Sequence, residues 1–391
     1  MNLGLAAVAI LYRHITYEEA IGLGFALILT YAGLYARNPE RKEHFDSMVS
    51  LSTSIILIVL AAKGYLPEHA VIPSILIASF RTKVPYYFGI PIYFILGFLF
   101  LQSFPNPWSA DFLALISLTT ALGSSLVVYA MRNDLVSTSL VLANTSILIT
   151  FDIYKIAISK EELFLGFVMA FLLSLIAYRT GVADETGLMA ATIVGMLIIV
   201  STDIRYFIAL ILFYAIGSAA TKYRYRDKEM LGVGEPAGGA RGYSNVFANS
   251  LPALFFALNY GYFSNAVFSA AFIASLSTAL GDTLASEFGK MSEKVYLITS
   301  FERVKPGESG GVSAIGEVLA LAGSGMISLY AILSGILGPH EAAIAMIAGF
   351  IGVHIDSILG ATAEKRELIG NSGVNFLSTL LSGLLVLLIM L

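Results

Sequence analysis

The 391-residue chain contains no cysteine, a single glutamine, a single tryptophan and few charges, since Asp, Glu, Lys and Arg together make up 13% of it. Without cysteine there are no disulfides, no thiol nucleophile and no cysteine-ligated metal. The scarcity of charge excludes an ordinary soluble domain, in which roughly a quarter of the residues are charged. The formal net charge of −4 is small and no basic arm or tail is present, which argues against nucleic acid as a partner. The opening "MNLGLAAVAIL" lacks the basic flank and small-residue cleavage site of a signal peptide, so it is expected to stay on the chain as a membrane-associated segment.

What is present is apolar: 57% of the residues are hydrophobic and the mean hydropathy is +0.81. This composition predicts an all-α, polytopic integral membrane helix bundle. Apolar stretches at 17–36, 48–65, 69–80, 86–103, 109–131, 134–152, 163–179, 186–201, 204–220, 246–262, 266–282, 313–336, 342–361 and 373–391 predict about 14 transmembrane helices. The stretch at 69–80 is short enough to be re-entrant. Many of the 35 glycines fall inside these runs, as expected where helices pack closely.

Three loops carry 11 of the 23 basic residues: "TKYRYRDKEMLGVGEPAGGARGYSN" (221–245), "GKMSEKVYLITSFERVKPGESGG" (289–311) and "AEKRELIGN" (363–371). Two predicted helices separate each loop from the next, so all three fall on one side, and their Lys and Arg content assigns that side to the cytoplasm. Loops of the first 155 residues, such as "ARNPERKEHFDS" and "FRTKVP", show no chemical motif. The polar connector "FDIYKIAISKEEL" (151–163) separates an N-terminal module, 1–155, from a second domain, 163–391, that holds every motif.

Within "GDTLASEFGK", helical spacing places Asp282, Ser286 and Lys290 within about 80° of one another, with Thr283 and Glu287 close by. An acid that holds Mg²⁺ and a lysine that holds phosphate then share one face. The alternative is a helix leaving the membrane with interfacial charges. In "KPGESGGVS", Lys305, Gly310, Gly311 and Ser313 precede a helix, where consecutive backbone N–H groups form an anion cradle. A plain glycine turn is the competing reading, and the Walker A pattern is missing. "EPAGGARGYSNVFAN" offers Gly238, Gly239 and Arg241, then Asn245 and Asn249 at i, i+4, amides suited to a nucleobase, a ribose or metal-bound water. A helix cap is the alternative for Asn245. "HIDSILGA" adds Asp356 as a second metal-binding acid beside Asp282, and "GNSGVNFLST" adds Asn371 and Asn375, again at i, i+4. His354 reads as a packing or interfacial residue.

Taken together, "GGARGYSNVFANS", "GDTLASEFGK", "VKPGESGGVSAIGE" and "DSILGA…NSGVNFLS" resemble the membrane family known as domain of unknown function 92, which includes plant phytyl-phosphate kinase and an animal transmembrane protein. The resemblance covers residues 163–391. It implies phosphoryl transfer from a nucleoside triphosphate, CTP or UTP before ATP, to an isoprenyl monophosphate, with Mg²⁺. A more distant similarity to dolichol and phytol kinases rests on "DTLA" (282–285) and "VKPGESGG" (304–311). Within that reaction class the residues themselves are assigned metal binding at Asp282 and Asp356, phosphate binding at Lys290, Lys305 and Arg241, and a place in the catalytic cluster at Glu287. The expected partners are an isoprenyl phosphate lipid and the bilayer, with a homo-oligomer allowed. The expected location is the plasma membrane with the motif loops in the cytoplasm. Two other functions fit the same loops: cytidylyl transfer onto a lipid phosphate, and transport of a small anion or lipid phosphate.

Overall fold

The computed structural model describes residues 42–80, 86–131, 136–154 and 160–391. The opening "MNLGLAAVAIL" and the first expected helix, 17–36, lie outside these residues. Every later stretch expected to be helical is a helix. The chain divides into two compact units, Met1–Phe164 and Leu165–Leu391.

In the first unit the described helices are α1 (Lys42–Ala62), α2 (Glu68–Ser79), α3 (Tyr86–Gln102), α4 (Ala110–Met131) and α5 (Val136–Tyr154). The carboxylate of Asp46 on α1 accepts from the backbone N–H of Ser137, at 2.9 Å, and of Thr138, at 3.1 Å. It thereby closes the exposed N-terminus of α5, whose first N–H groups have no partner within the helix. The 12-residue α2, about 18 Å long at 1.5 Å per residue, is buried along its length and carries Pro73 inside it.

The second unit begins within α6 (Lys160–Arg179) and continues through α7 (Glu185–Ser201), α8 (Ile204–Lys222), the short α9 (Tyr225–Met230) and α10 (Tyr243–Phe263). After α11 (Ala266–Gly289) come three strands, β1 (Val295–Leu297), β2 (Arg303–Val304) and β3 (Gly311–Val312). The chain ends with α12 (Ala314–Leu333), α13 (Pro339–Leu359), one π-turn (Gly360–Glu364) and α14 (Asn371–Met390). Helix starts are written in the local sequence. Asp184, Asp203, Asn265 and Ser313 each accept, through a side-chain oxygen, from N–H groups of the first turn of α7, α8, α11 and α12.

Helix α11 runs through the middle of this unit and packs on α8, α10, α12, α13 and α14. Its sequence, rich in Ala, Ser and Gly, lets neighbours come close, as small residues do in membranes. A Cβ placed on Gly281 would meet the Ala320 carbonyl at 2.8 Å, and one on Gly323 would meet the Gly281 Cα at 2.9 Å, so α11 and α12 touch glycine to glycine. Reciprocal hydrogen bonds reinforce the contact: Ser277 Oγ donates to the Ser324 carbonyl and Ser324 Oγ to the Ser277 carbonyl, both at 3.2 Å.

The protein is an integral membrane helix bundle. By length and composition, seven helices among the described residues are apolar and long enough to cross a bilayer: α4, α5, α8, α11, α12, α13 and α14. The count of 14 is not reached among the described residues: of the other seven expected crossings, 17–36 lies outside them, α1, α2, α3, α6 and α7 are shorter apolar helices, and α10 carries Asn245, Asn249 and Asn259. The other departure from an all-α chain is a small antiparallel sheet in the 289–311 loop, ordered β2-β1-β3, with Val295 opposite Val304 and Tyr296 opposite Val312.

Candidate functional site

The three motif loops meet at one end of the second unit, around a cavity of about 530 Å³. Each loop is held there by identifiable contacts. A backbone bridge joins Arg241 to the turn before α7: Arg241 N–H donates to the Val182 carbonyl at 2.8 Å, and Asp184 N–H to the Arg241 carbonyl at 3.2 Å. Gly187 leaves room for that carbonyl. Gly310, at φ +78°, lies against Ala361, Gly360 and the Ser357 carbonyl, which seats the β2–β3 loop on the end of α13. Lys365 and Glu308 close the same junction at 2.7 Å.

Two carboxylates line the cavity. Asp282 follows Gly281 near the end of α11, Asp356 lies three residues before the end of α13, and both line the same cavity. Ser378 Oγ of α14 donates to Asp356 Oδ2 at 2.9 Å. Two carboxylates that share a cavity repel unless a cation or proton offsets their charge. Mg²⁺ commonly takes one or two carboxylates and completes its shell with water and substrate phosphate, so the donor set fits it. No group of three or more His, Cys, Asp or Glu side chains suited to a metal occurs among the described residues.

The cations are held differently. Arg241 is 7% exposed, lies over the rings of Phe213 and Tyr214 at 5.2 and 5.5 Å, and donates to Asn245 Oδ1 at 3.3 Å. It forms no ion pair among the described residues, and burial pushes its pKa below the ordinary value. A buried guanidinium that lines a polar cavity and forms no ion pair there can receive an anion. Lys290, by contrast, is already paired: its Nζ contacts Glu235 Oε1 at 2.5 Å and Glu287 Oε1 at 3.0 Å. Burial works to lower its pKa, but the two carboxylates prevail and hold it above the ordinary value. Glu287 is itself buried, and its other oxygen meets Lys228 Nζ at 2.6 Å. Lys228 also donates to the Ala220 and Thr221 carbonyls at the end of α8, at 2.9 and 3.2 Å.

The structure brings Asp282, Asp356, Arg241, Glu287, Lys290, Gly239, Asn245, Asn249, Gly310, Gly311, Ser313, Asn371 and Asn375 to the cavity. It does not bring Lys305 or Gly238 there. Lys305 is exposed beside β2, and Gly238, at φ +67°, serves the turn alone. The expected glycine cradle is altered by the sheet: the Gly311 N–H donates to the Glu308 carbonyl at 2.9 Å and so is taken. Ser313 Oγ accepts from the Gly316 N–H at 3.2 Å as the cap of α12. Asn245 is not a cap, because Gly242 occupies that position, and Asn249 Nδ2 donates to the Asn245 carbonyl at 3.0 Å. Lys228 and Glu235 were missed. The burial of Lys228 and the pairing of both depend on where a loop folds, and no periodic signal marks them.

Residues 168–383 match the family described as integral membrane protein DUF92. The chain belongs to that family. All of the cavity-lining residues fall within the DUF92 segment. The chain is 29% identical over 231 residues to the membrane protein MJ0933 of Methanocaldococcus jannaschii, covering 58% of this chain and 94% of that one. It is 30% identical over 214 residues to the chloroplastic protein VTE6 of Arabidopsis thaliana, covering 52% of this chain and 64% of VTE6. It is 27% identical over 274 residues to protein PGR of the same plant, covering 57% and 94%. No solved structure matches the chain.

Proposed function

We propose that this DUF92 protein is a membrane-embedded kinase that transfers the γ-phosphoryl group of a nucleoside triphosphate, CTP or UTP in preference to ATP, to an isoprenyl monophosphate such as phytyl or geranylgeranyl phosphate. The observation that carries the proposal is the presence, in one polar cavity, of the Asp282 and Asp356 carboxylates and the buried guanidinium of Arg241, which forms no ion pair among the described residues. The likeness to a family that includes phytyl-phosphate kinase supplies the substrate class.

The chemistry suits these groups. A phosphate oxygen of the lipid attacks the γ-phosphorus, the bond from that phosphorus to the β–γ bridging oxygen breaks, and lipid diphosphate and nucleoside diphosphate result. The attacking oxygen is already ionised at neutral pH, so the reaction needs positioning and charge neutralisation rather than a strong base. Accordingly the cavity is lined by acids, cations and amides, with no histidine among the described residues that line it. Asp282 and Asp356 would hold Mg²⁺, which neutralises the charge that develops on the transferring group. Arg241 and Lys290 bind phosphate oxygens, Glu287 and Lys228 keep Lys290 in place, and Asn245, Asn249, Asn371 and Asn375 orient the nucleotide or metal-bound water. The motif end faces the cytoplasm of a plasma membrane, where nucleotide is available.

The test is incubation of the purified protein in detergent with Mg²⁺, each nucleoside triphosphate in turn, and phytyl or geranylgeranyl monophosphate, with products identified by mass. A prenyl diphosphate together with the nucleoside diphosphate supports the kinase. A nucleotidyl lipid with released pyrophosphate replaces it with a cytidylyltransferase, and no consumption of any nucleotide removes both.

A further inference from the structure

Glu317 and His354 form a pair that the kinase chemistry leaves unused. Nε2 of His354 lies 3.1 Å from Oε2 of Glu317, and its Nδ1 lies 2.9 Å from the Phe350 carbonyl, so both ring nitrogens face acceptors. The two side chains are 35% and 39% exposed. Their neighbours show what they are exposed to. On α13, Ile347, Ile351 and Ile358 are exposed, and His354 continues their spacing of three and four residues along one face. On α12, Val318 and Leu321, next to Glu317, are exposed as well. Both helices are long and apolar enough to cross the bilayer, and an exposed apolar face on such a helix is suited to lipid. An ionisable pair on such a face is costly and marks a pathway more often than packing.

A second observation gives the pathway its direction. Glu317 also lines the polar cavity, together with Gly316, Val353 and Asp356 of the same two helices. One carboxylate thus borders both the cavity and the bilayer-facing surface. We infer that the Glu317–His354 pair closes a lateral portal between α12 and α13, through which the phosphate head of a membrane-borne lipid enters the cavity while its chain stays in the bilayer. His354 exchanges the Glu317 carboxylate for the incoming phosphate, and Glu317 turns aside. The inference rests on the kinase reading for the identity of the headgroup as a phosphate monoester. Nucleotide, which carries no lipid chain, reaches the cavity from the loop end.

The experiment uses the full chain in lipid nanodiscs with a long-chain isoprenyl monophosphate bearing a photoreactive group on its first isoprene unit. Peptide mapping is expected to find the label within 314–321 and 347–358 of α12 and α13, reduced in His354→Gln and Glu317→Gln. In steady-state assays His354→Gln is expected to raise KM for the long-chain lipid about tenfold, the effect of losing one charge-assisted contact, with KM for nucleotide unchanged. KM for a short, water-soluble alkyl monophosphate, which bypasses the bilayer, is also expected to be unchanged. Label concentrated on α10 or α14, or equal losses with long and short substrates, would overturn the portal. Labelling of α12 and α13 without formation of any diphosphate leaves the portal standing and removes the kinase. Diphosphate formation with the label elsewhere does the reverse.

Discussion

At the scale of single residues, the cavity separates groups free to act from groups already committed. Arg241 forms no ion pair among the described residues and lies over Phe213 and Tyr214, a setting in which its planar fork matters as much as its charge. Arg241→Lys is therefore expected to raise KM for nucleotide about tenfold with little change in yield of folded protein, and an unchanged KM would place nucleotide elsewhere. Lys228 is committed. Replacing it with Met leaves Glu287 buried with only Lys290 beside it, and such breakage typically destabilises by about 3–5 kcal/mol. A clear drop in the thermal midpoint in detergent is expected, and an unaltered midpoint would show that the pair contributes nothing. Asp282, Asp356 and the paired asparagines are legible in the sequence because a polar residue beside an apolar run is conspicuous. Lys228 sits within "YRYRDKEM", where one lysine looks like any other, and only the fold reveals its burial.

At the scale of elements, the site depends on how closely α12 approaches α11. The Gly281–Gly323 contact leaves no room for a side chain beside Asp282. Gly281→Val is expected to separate the two helices and abolish turnover even where protein accumulates in the membrane. Activity retained within a few-fold would mean that the carboxylates do not need this spacing. Gly310→Ala meets both a positive φ and the wall formed by Ala361, so the β2–β3 loop is expected to detach and become sensitive to protease. Helices are easy to read here, since long apolar runs in a membrane chain have few alternatives. The sheet is not, because strands of two and three residues are too short to show alternation. That gap also explains Lys305 and Gly311. Read as a loop feeding a helix, the segment offered both to an anion, whereas the folded hairpin leaves Lys305 in solvent and occupies the Gly311 N–H.

At the scale of the whole molecule, the DUF92 match and every cavity residue lie in the second unit. MJ0933 aligns over 94% of its own length with 58% of this chain, so a protein of that extent is sustained without a counterpart to the rest. A chain of residues 165–391 is accordingly expected to insert and retain lipid-phosphate phosphorylation, and its complete inactivity would give the first unit a part in the reaction. The central claim is that the Asp282–Asp356 cavity carries γ-phosphoryl transfer to a lipid phosphate. Its most direct test follows label from γ-labelled CTP into geranylgeranyl monophosphate, in the parent protein and in Asp356→Asn reconstituted side by side. The account predicts labelled geranylgeranyl diphosphate from the parent and a loss of at least about a hundredfold in the variant, the scale of removing one preorganised charge-stabilising group. Equal labelling by both proteins, or label that never leaves the nucleotide, would contradict it.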